Sequence, residues 1–210
     1  RRVLFRSKSI LYYQKGTKDA AKVADDLEGV SAGFASESEV YFYYTDGSKQ
    51  TLKYAKISGA KVGKITQLSD DYKNLIRVDG GVLFTSEVNS SYVGTLNIAK
   101  NGKVKKIDDD VYTSSVTVSN NGKKYYYLKG YSTSKYTGDL YVSSGAAGKK
   151  IDTDVYRNFT YVKDNLIYYL KDYSSKGKGD LYRYTGKATK VAEDVSSLKN
   201  TPNYYNPDKK

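Results

Sequence analysis

The hydrophobic positions of this chain fall in short runs, not in helical stripes. Between residues 112 and 155 the runs are SSVTVSN, KKYYYLKGY, GDLYVSS and GKKIDTDV, each fenced by Gly, Asn, Ser or Lys. The same four-run plan recurs at about 28–68 (VSAGFAS, EVYFYYT, TLKYAKI, KVGKITQL). It recurs again at 69–111 (LIRVDG, GVLFTSEV, GTLNIAK, KVKKIDDDV) and at 156–195 (FTYVKD, LIYYLKDY, GDLYRYT, TKVAEDV). Two landmarks keep one period. The third-run leucine falls at Leu11, Leu52, Leu96, Leu140 and Leu181, with gaps of 41, 44, 44 and 41. The closing aliphatic falls at Leu27, Leu68, Val111, Val155 and Val195, with gaps of 41, 43, 44 and 40.

A unit of about 42 residues holding four strand-like runs is what a β-propeller blade looks like in sequence. The predicted fold is all-β: a partial β-propeller of four-stranded antiparallel blades. Residues 8–27 supply a half blade, 28–68, 69–111, 112–155 and 156–195 a blade each, and 196–210 a truncated blade or tail, all in one propeller domain. Asp46-Gly47, Asp79-Gly80-Gly81, Asn101-Gly102 and Asn120-Asn121-Gly122 supply the positive φ that tight hairpins need. Only KDAAKVADDLE at 18–28 suggests a helix, and the repeat outweighs it. The runs Tyr125-Tyr126-Tyr127-Leu128 and Ile167-Tyr168-Tyr169-Leu170 do not alternate with polar residues. A sheet with one wet face would alternate, so these strands are expected to be covered on both faces. The pattern predicts an open arc cut from a larger propeller, since its edges would otherwise expose Tyr-rich faces.

The first seven residues, RRVLFRS, fit no repeat position and read like a translated sequencing adapter; they are expected to be a non-native leader. The formal charge is +12, from 35 Lys and Arg against 23 Asp and Glu, and stays at +9 without the three leader arginines. Such a balance suits an acidic partner, although lysines that recur in turns also serve as a solubilising rim. No run approaches 18 apolar residues, so membrane attachment is expected only through an anchor outside this fragment.

Cys, Met, Trp and His are all absent, while Tyr occurs 24 times. Without Cys and His the chain lacks thiol nucleophiles, thiolate or imidazole metal ligands, and the commonest general base. Serine has no His partner for a triad, and no glycine-rich phosphate cradle is present. No cofactor is expected. Asp108-Asp109-Asp110 and Asp152/Asp154 could serve as calcium ligands, but the spacing is not that of an EF-hand loop. The fixed Asp before Val reads better as a repeated turn or edge hydrogen bond. Tyrosines interleaved with lysines could stack nucleic-acid bases. They recur inside strands, however, so nucleic acid is not the expected partner.

From residue 8 to about 195 the pattern resembles the β-propeller repeats of uncharacterised Gram-positive surface proteins, grouped with TolB-like and lipoprotein-receptor-type propellers. The residues carrying the likeness are the strands Tyr126–Tyr131 and Tyr168–Tyr173, Gly138–Tyr141 and Gly179–Tyr182, and the closing Asp-x-Asp-Val. Gly-Thr-Leu-Asn at 94–97 departs from the Gly-Asp-Leu-Tyr form. The resemblance implies an extracellular or cell-surface module and transfers no catalytic residue.

The expected function is thus a non-catalytic binding or scaffold module of a larger surface protein, not an enzyme. Its partner would be an unknown protein or an anionic polymer. Two alternatives stay open: glycan or anionic wall-polymer binding through exposed Tyr and Lys, and a fragment of a propeller enzyme whose catalytic residues lie in missing blades. Propeller geometry puts a ligand face on the loops that follow the closing aliphatic. Tyr112, after Val111, and Tyr156 with Arg157, after Val155, are the ligand-face candidates.

Overall fold

The computed structural model describes residues 9–14, 19–27, 31–35, 38–46, 49–59, 61–163 and 165–198. The RRVLFRS segment and most of the tail lie outside the described residues. Seventeen β-strands account for nearly all the regular structure, with one 3-10 turn at Thr113–Ser115 and no α-helix among the described residues. KDAAKVADDLE is not helical where described; Ala21–Leu27 is a strand.

The strands form antiparallel meanders in sequence order. β1 (Ser9–Tyr13) pairs with β2 (Ala21–Leu27) as an isolated hairpin. β3 (Ser31–Ala35), β4 (Glu39–Asp46), β5 (Lys49–Ser58) and β6 (Lys61–Ser69) make a four-stranded sheet. A second meander comprises β7 (Tyr72–Val78), β8 (Gly81–Ser86), β9 (Val93–Lys100) and β10 (Lys103–Tyr112). A third comprises β11 (Thr117–Val118), β12 (Tyr125–Ser132), β13 (Thr137–Ser143) and the first half of β14 (Lys149–Lys163). The second half of β14, β15 (Leu166–Lys171), β16 (Gly179–Tyr184) and β17 (Ala188–Val195) make the fourth.

The expectation of separate four-stranded blades needs a correction. From β7 to β17 the hydrogen bonding is one 11-stranded sheet, ten strands in a continuous path with β11 beside it on β12, and no sheet closes on itself among the described residues. The joins fall at the closing valines: Val111 pairs with Lys129, and Val155 pairs with Lys171. β14 is long enough to end one meander and begin the next without a break. The first strand of the third meander, β11, is only two residues long, which leaves β12 open to β10.

Alternate residues of the second strands feed different cores. Tyr125 and Tyr127 pack with Leu83, Leu96 and Ile98 of the preceding meander, whereas Tyr126 and Leu128 pack with Phe159, Ile167 and Tyr169 of the following one. All four are no more than 1% exposed. In β4, Tyr41 joins Tyr72, Val82 and Phe84, while Val40 and Phe42 join Val23 of the first hairpin. Both faces of these strands are dry, which is why their sequence does not alternate. The fourth strands are the wet ones: in β10 and β17 most side chains are exposed, and Lys supplies many of them. Lysine there also blunts any tendency of outer strands to pair with other chains.

The Asp-x-Asp-Val phrase is a bulge. Asp110, Asp154 and Asp194, each just before the closing valine, take φ of 58°, 52° and 57°, in the left-handed region that Asp tolerates better than most residues. The bulge sets Leu96 opposite Asp108, Leu140 opposite Asp152 and Leu181 opposite Ala192. β6 differs: Leu52 lies opposite Ser69, past Leu68, so Leu68 is not the register equivalent of Val111. Leu68 is itself the extra residue of a bulge, between Gln67 opposite Lys53 and Ser69 opposite Leu52, and so takes the place that Ile107 holds in β10. The glycine of the third strand answers a second constraint. A Cβ on Gly94, Gly138 or Gly179 would lie 2.5, 2.8 or 2.6 Å from a carbonyl oxygen of the second strand.

The first Asp of the phrase does a different job. Asp108, at the end of one meander, accepts hydrogen bonds from the Tyr127 hydroxyl (2.9 Å) and the Gly148 backbone N–H (3.2 Å), and an ion pair from Lys129. Asp152 accepts from the Tyr169 hydroxyl (2.7 Å) and Lys171 (2.6 Å). The ring of Tyr127 is fully buried, so its hydroxyl needs a partner, and the carboxylate of the neighbouring meander provides it. In the first hairpin the equivalent residue is Ala24, opposite Leu11; it packs in the cluster of Phe42, which has no hydroxyl to satisfy.

Burial alone would raise the Asp108 and Asp152 carboxyls, but the hydrogen bonds from Lys129 with Tyr127, and from Lys171 with Tyr169, outweigh it and hold both below the usual value. Burial, followed by the facing carboxylate, pushes the Tyr127 and Tyr169 hydroxyls up. Folding lowers these carboxyl pKa values, so their contribution is complete above the unfolded value of about 3.9 and disappears as pH falls through the folded one. The urea midpoint should therefore stay level from pH 7 to about 5 and drop below about 4, with a shallower drop in Asp108→Asn/Asp152→Asn. Asp108→Ala should cost roughly 2–3 kcal/mol at pH 7, because it leaves the buried Tyr127 hydroxyl and the half-buried Lys129 without their acceptor. Adding Tyr127→Phe should cost less than the sum of the two single changes by about 1 kcal/mol, measured by urea unfolding. Strict additivity would mean that the contact contributes nothing.

Candidate functional site

In an antiparallel meander the turns after the first and third strands lie at one end, and those after the second and fourth at the other. The second end is rich in tyrosine. Tyr112 stacks on Tyr131 with ring centroids 3.8 Å apart at 7°, and Tyr156 stacks on Tyr173 at 3.9 Å and 16°. Each stack joins the residue after a closing valine to one three places beyond a second-strand leucine, Leu128 or Leu170. The rows of the repeat thus build the same pair twice.

Arg157 connects them. Its guanidinium carbon lies 4.8 Å from the centre of the Tyr136 ring and 6.0 Å from that of Tyr156. Burial works against its charge, but the neighbouring Tyr156 and Tyr131 hydroxyls outweigh that and hold the guanidinium above its usual value. Burial, then the neighbouring Tyr112, pushes the Tyr131 hydroxyl up to about 12. The three candidates Tyr112, Tyr156 and Arg157 therefore fall in one cluster, with Arg157 exposed and the two tyrosines half-buried. Sequence reasoning missed Tyr131, Tyr136 and Tyr173, which complete it. Tyr131 and Tyr173 were legible from their shared offset after the second-strand leucine; Tyr136 was not.

Tyr136 is 47% exposed and holds φ at 57°; Tyr92, four residues before its third-strand leucine as Tyr136 is, is 65% exposed at φ 61°. Their backbone carbonyls explain the conformation: Thr113 N–H donates to Tyr92 O and Arg157 N–H to Tyr136 O, both at 2.9 Å. They do not explain the side chain. Gly177 takes the same offset in the fourth meander at φ 72°, where it costs nothing. A large exposed aromatic in a conformation that favours glycine marks a place where the ring itself is useful.

The rest of this end carries carboxylates. Glu87 and Asp109 both accept from the Thr95 hydroxyl, and Asp110 accepts from the Gly130 N–H. Between the first two meanders a cleft of about 270 Å³ is lined by Ser69, Asp70, Asp71, Glu87, Phe84 and Asn97, among others. No group of three or more metal-ligating side chains occurs among the described residues. Asp108 and Asp152, which could have been metal ligands, are occupied by tyrosine and lysine, and Asp110 and Asp154 form the bulges.

No protein-family model and no curated protein matches the chain. Among solved structures it aligns with the acylaminoacyl peptidase of Pyrococcus horikoshii at 13% identity and a TM-score of 0.47, covering 86% of this chain and 35% of that one. It aligns with the uncharacterized protein lmo1340 of Listeria monocytogenes EGD-e at 11% and 0.48, covering 89% and 63%. A prolyl endopeptidase aligns at 13% and 0.46, covering 81% and 30%. None of the three is named as a TolB-like propeller. The chain spans about a third of the length of the two peptidases and less than two thirds of the Listeria protein.

These structures correct the expectation that the protein is not an enzyme, because two of the three are peptidases. That expectation extended missing chemistry in 210 residues to the whole protein. Lack of His and Cys removes those groups from this span and says nothing about residues beyond it.

The cluster has a spectroscopic consequence. In ring-labelled protein, Arg157→Gln should move the Tyr131, Tyr136 and Tyr156 resonances and leave the buried Tyr126 unchanged, with a stability loss under about 1 kcal/mol. Unmoved Tyr131 and Tyr136 signals would show that Arg157 points elsewhere.

Proposed function

We propose that the chain is a run of β-propeller blades whose tyrosine end binds a ring-bearing carboxylate, such as a uronic-acid unit of a glycan. The blade reading is supported by β12, whose successive residues enter different cores, as face-to-face stacking of sheets requires. The ligand reading rests on one observation: Arg157 is exposed and lies against the exposed ring of Tyr136. A guanidinium offers paired donors that match a carboxylate, and the adjoining ring offers an apolar face for the ring that carries it. Stacked tyrosines on either side hold these groups in place before any ligand arrives, which lowers the ordering cost of binding.

Charge narrows the class further. Glu87, Asp109, Asp110, Asp154 and Asp172 crowd the same end, so a densely charged polyanion would meet repulsion there. A ligand with isolated carboxylates avoids it.

Calorimetric titration with short oligouronates and with neutral oligosaccharides of the same linkage tests this reading. Binding of the acidic series alone is expected, weakened at least about tenfold by Arg157→Gln and by Tyr136→Ala, since a lost charge-assisted contact costs roughly 1.5–3 kcal/mol. Equal affinity for both series, or undiminished binding in both variants, would refute it.

A further inference from the structure

The opposite end of the meanders has a different chemistry, and nothing in the tyrosine-end reading depends on it. Its turns follow the first and third strands, and they are lined with lysine. Lys61, Lys103 and Lys149 each open a fourth strand, and Lys187 stands just before β17, so every meander from β3 onward places one lysine at the same point. Lys100, Lys123 and Lys163 add to the row. All seven are exposed, and none is in an ion pair among the described residues.

The contrast with the other lysines is what makes this informative. Lys73, Lys106, Lys129, Lys150, Lys171 and Lys190 all sit against a carboxylate, at or toward the tyrosine end and along the outer strands. From β7 to β17 the turns of the lysine end hold one described acid, Asp79, and the one carboxylate that reaches them, Asp108 at the Gly148 N–H, is already paired with Lys129. Among the described residues from β7 onward, nearly all the carboxylates thus lie away from these turns. Charges of one sign left together repel, and a partner of opposite sign relieves that repulsion.

We propose that this end binds a flexible, linear phosphate-repeat polyanion lying across successive meanders. Packed sheets are spaced at about 10 Å, so the row sets a cation at roughly that interval, within the Debye length of about 8–10 Å. A chain laid along it meets a continuous positive field. The turns of this end carry lysine without arginine, Arg77 and Arg183 standing just inside β7 and β16, and lysine acts on phosphate as a hydrated point charge, not as a fork with fixed geometry. Recognition is therefore by charge density. Nucleic acid fits less well: Tyr92 and Tyr136 are at the other end, and from β3 onward no exposed tyrosine among the described residues stands on the lysine row for a base to stack on.

The probe is inorganic polyphosphate, titrated into the full chain across a salt series. A single-stranded oligonucleotide with the same number of phosphates serves as comparison. Two triple variants separate the lysine end from net charge: Lys103→Gln/Lys149→Gln/Lys187→Gln, and Lys73→Gln/Lys106→Gln/Lys190→Gln. Circular dichroism confirms that both fold. Polyphosphate should bind with steep salt dependence, and the first triple should flatten the slope of log affinity against log salt by about 2. The second triple, with the same change in charge, should leave it within half a unit of the parent. Equal effects of the two triples would overturn the proposal. So would absence of binding at low salt, or tighter binding of the oligonucleotide than of polyphosphate.

Discussion

Everything in this fold depends on each sheet giving up both of its faces. A strand such as β12 cannot be buried by its own meander, because Tyr125 and Tyr127 point one way and Tyr126 and Leu128 the other. Each meander is therefore completed by its neighbours, in the manner of repeat proteins whose units cannot bury their apolar faces alone. Tyrosine makes that dependence specific. A buried ring can pack in many orientations, but its hydroxyl must end on an acceptor. In two successive interfaces the acceptor is the first Asp of the preceding closing phrase, which fixes how far one meander slides along the next.

The legible part of the structure was the part set by local repetition. Leu96 and Leu140 are fully buried at the places the period assigns them, and the unbroken Tyr125–Leu128 run marks a strand without a wet side. What escaped depended on register and on contacts across units. The period gave no sign that Leu68 falls on a bulge between Gln67 and Ser69, out of register with Val111. The pairing of Tyr127 with Asp108 joins residues on different meanders, and either one read alone is an ordinary repeat position. The ligand-face candidates were partly legible for the same reason: Tyr112, Tyr156 and Arg157 follow the closing valines, whereas Tyr136 enters through the turn between β12 and β13 and meets Arg157 only in three dimensions.

Composition misled where it was asked about more than the chain at hand. The net charge of +12 suited either an acidic partner or a solubilising rim of lysines, and carried no information on where the charge lies. The structure divides that charge. Carboxylates gather beside the stacked tyrosines and in the cleft at Asp70 and Asp71, while uncompensated lysines line the far turns. One number for the chain concealed two surfaces of different sign and texture.

That division also settles how the two ends can influence each other. Strands such as β9 and β12 run eight residues, which at about 3.3 Å per residue separates the ends by roughly 26 Å. This is two to three Debye lengths at physiological salt, so direct coulombic communication through solvent is largely screened. Any coupling would have to pass through the packed interfaces, and those are pinned by Asp108 with Tyr127 and by Asp152 with Tyr169. Loosening one of these contacts would let a meander shift against its neighbour, displacing Arg157 from Tyr136 at one end and changing the lysine spacing at the other. The same half-buried carboxylates that set the register thus lie, with the apolar cores around them, on a physical route from one end to the other.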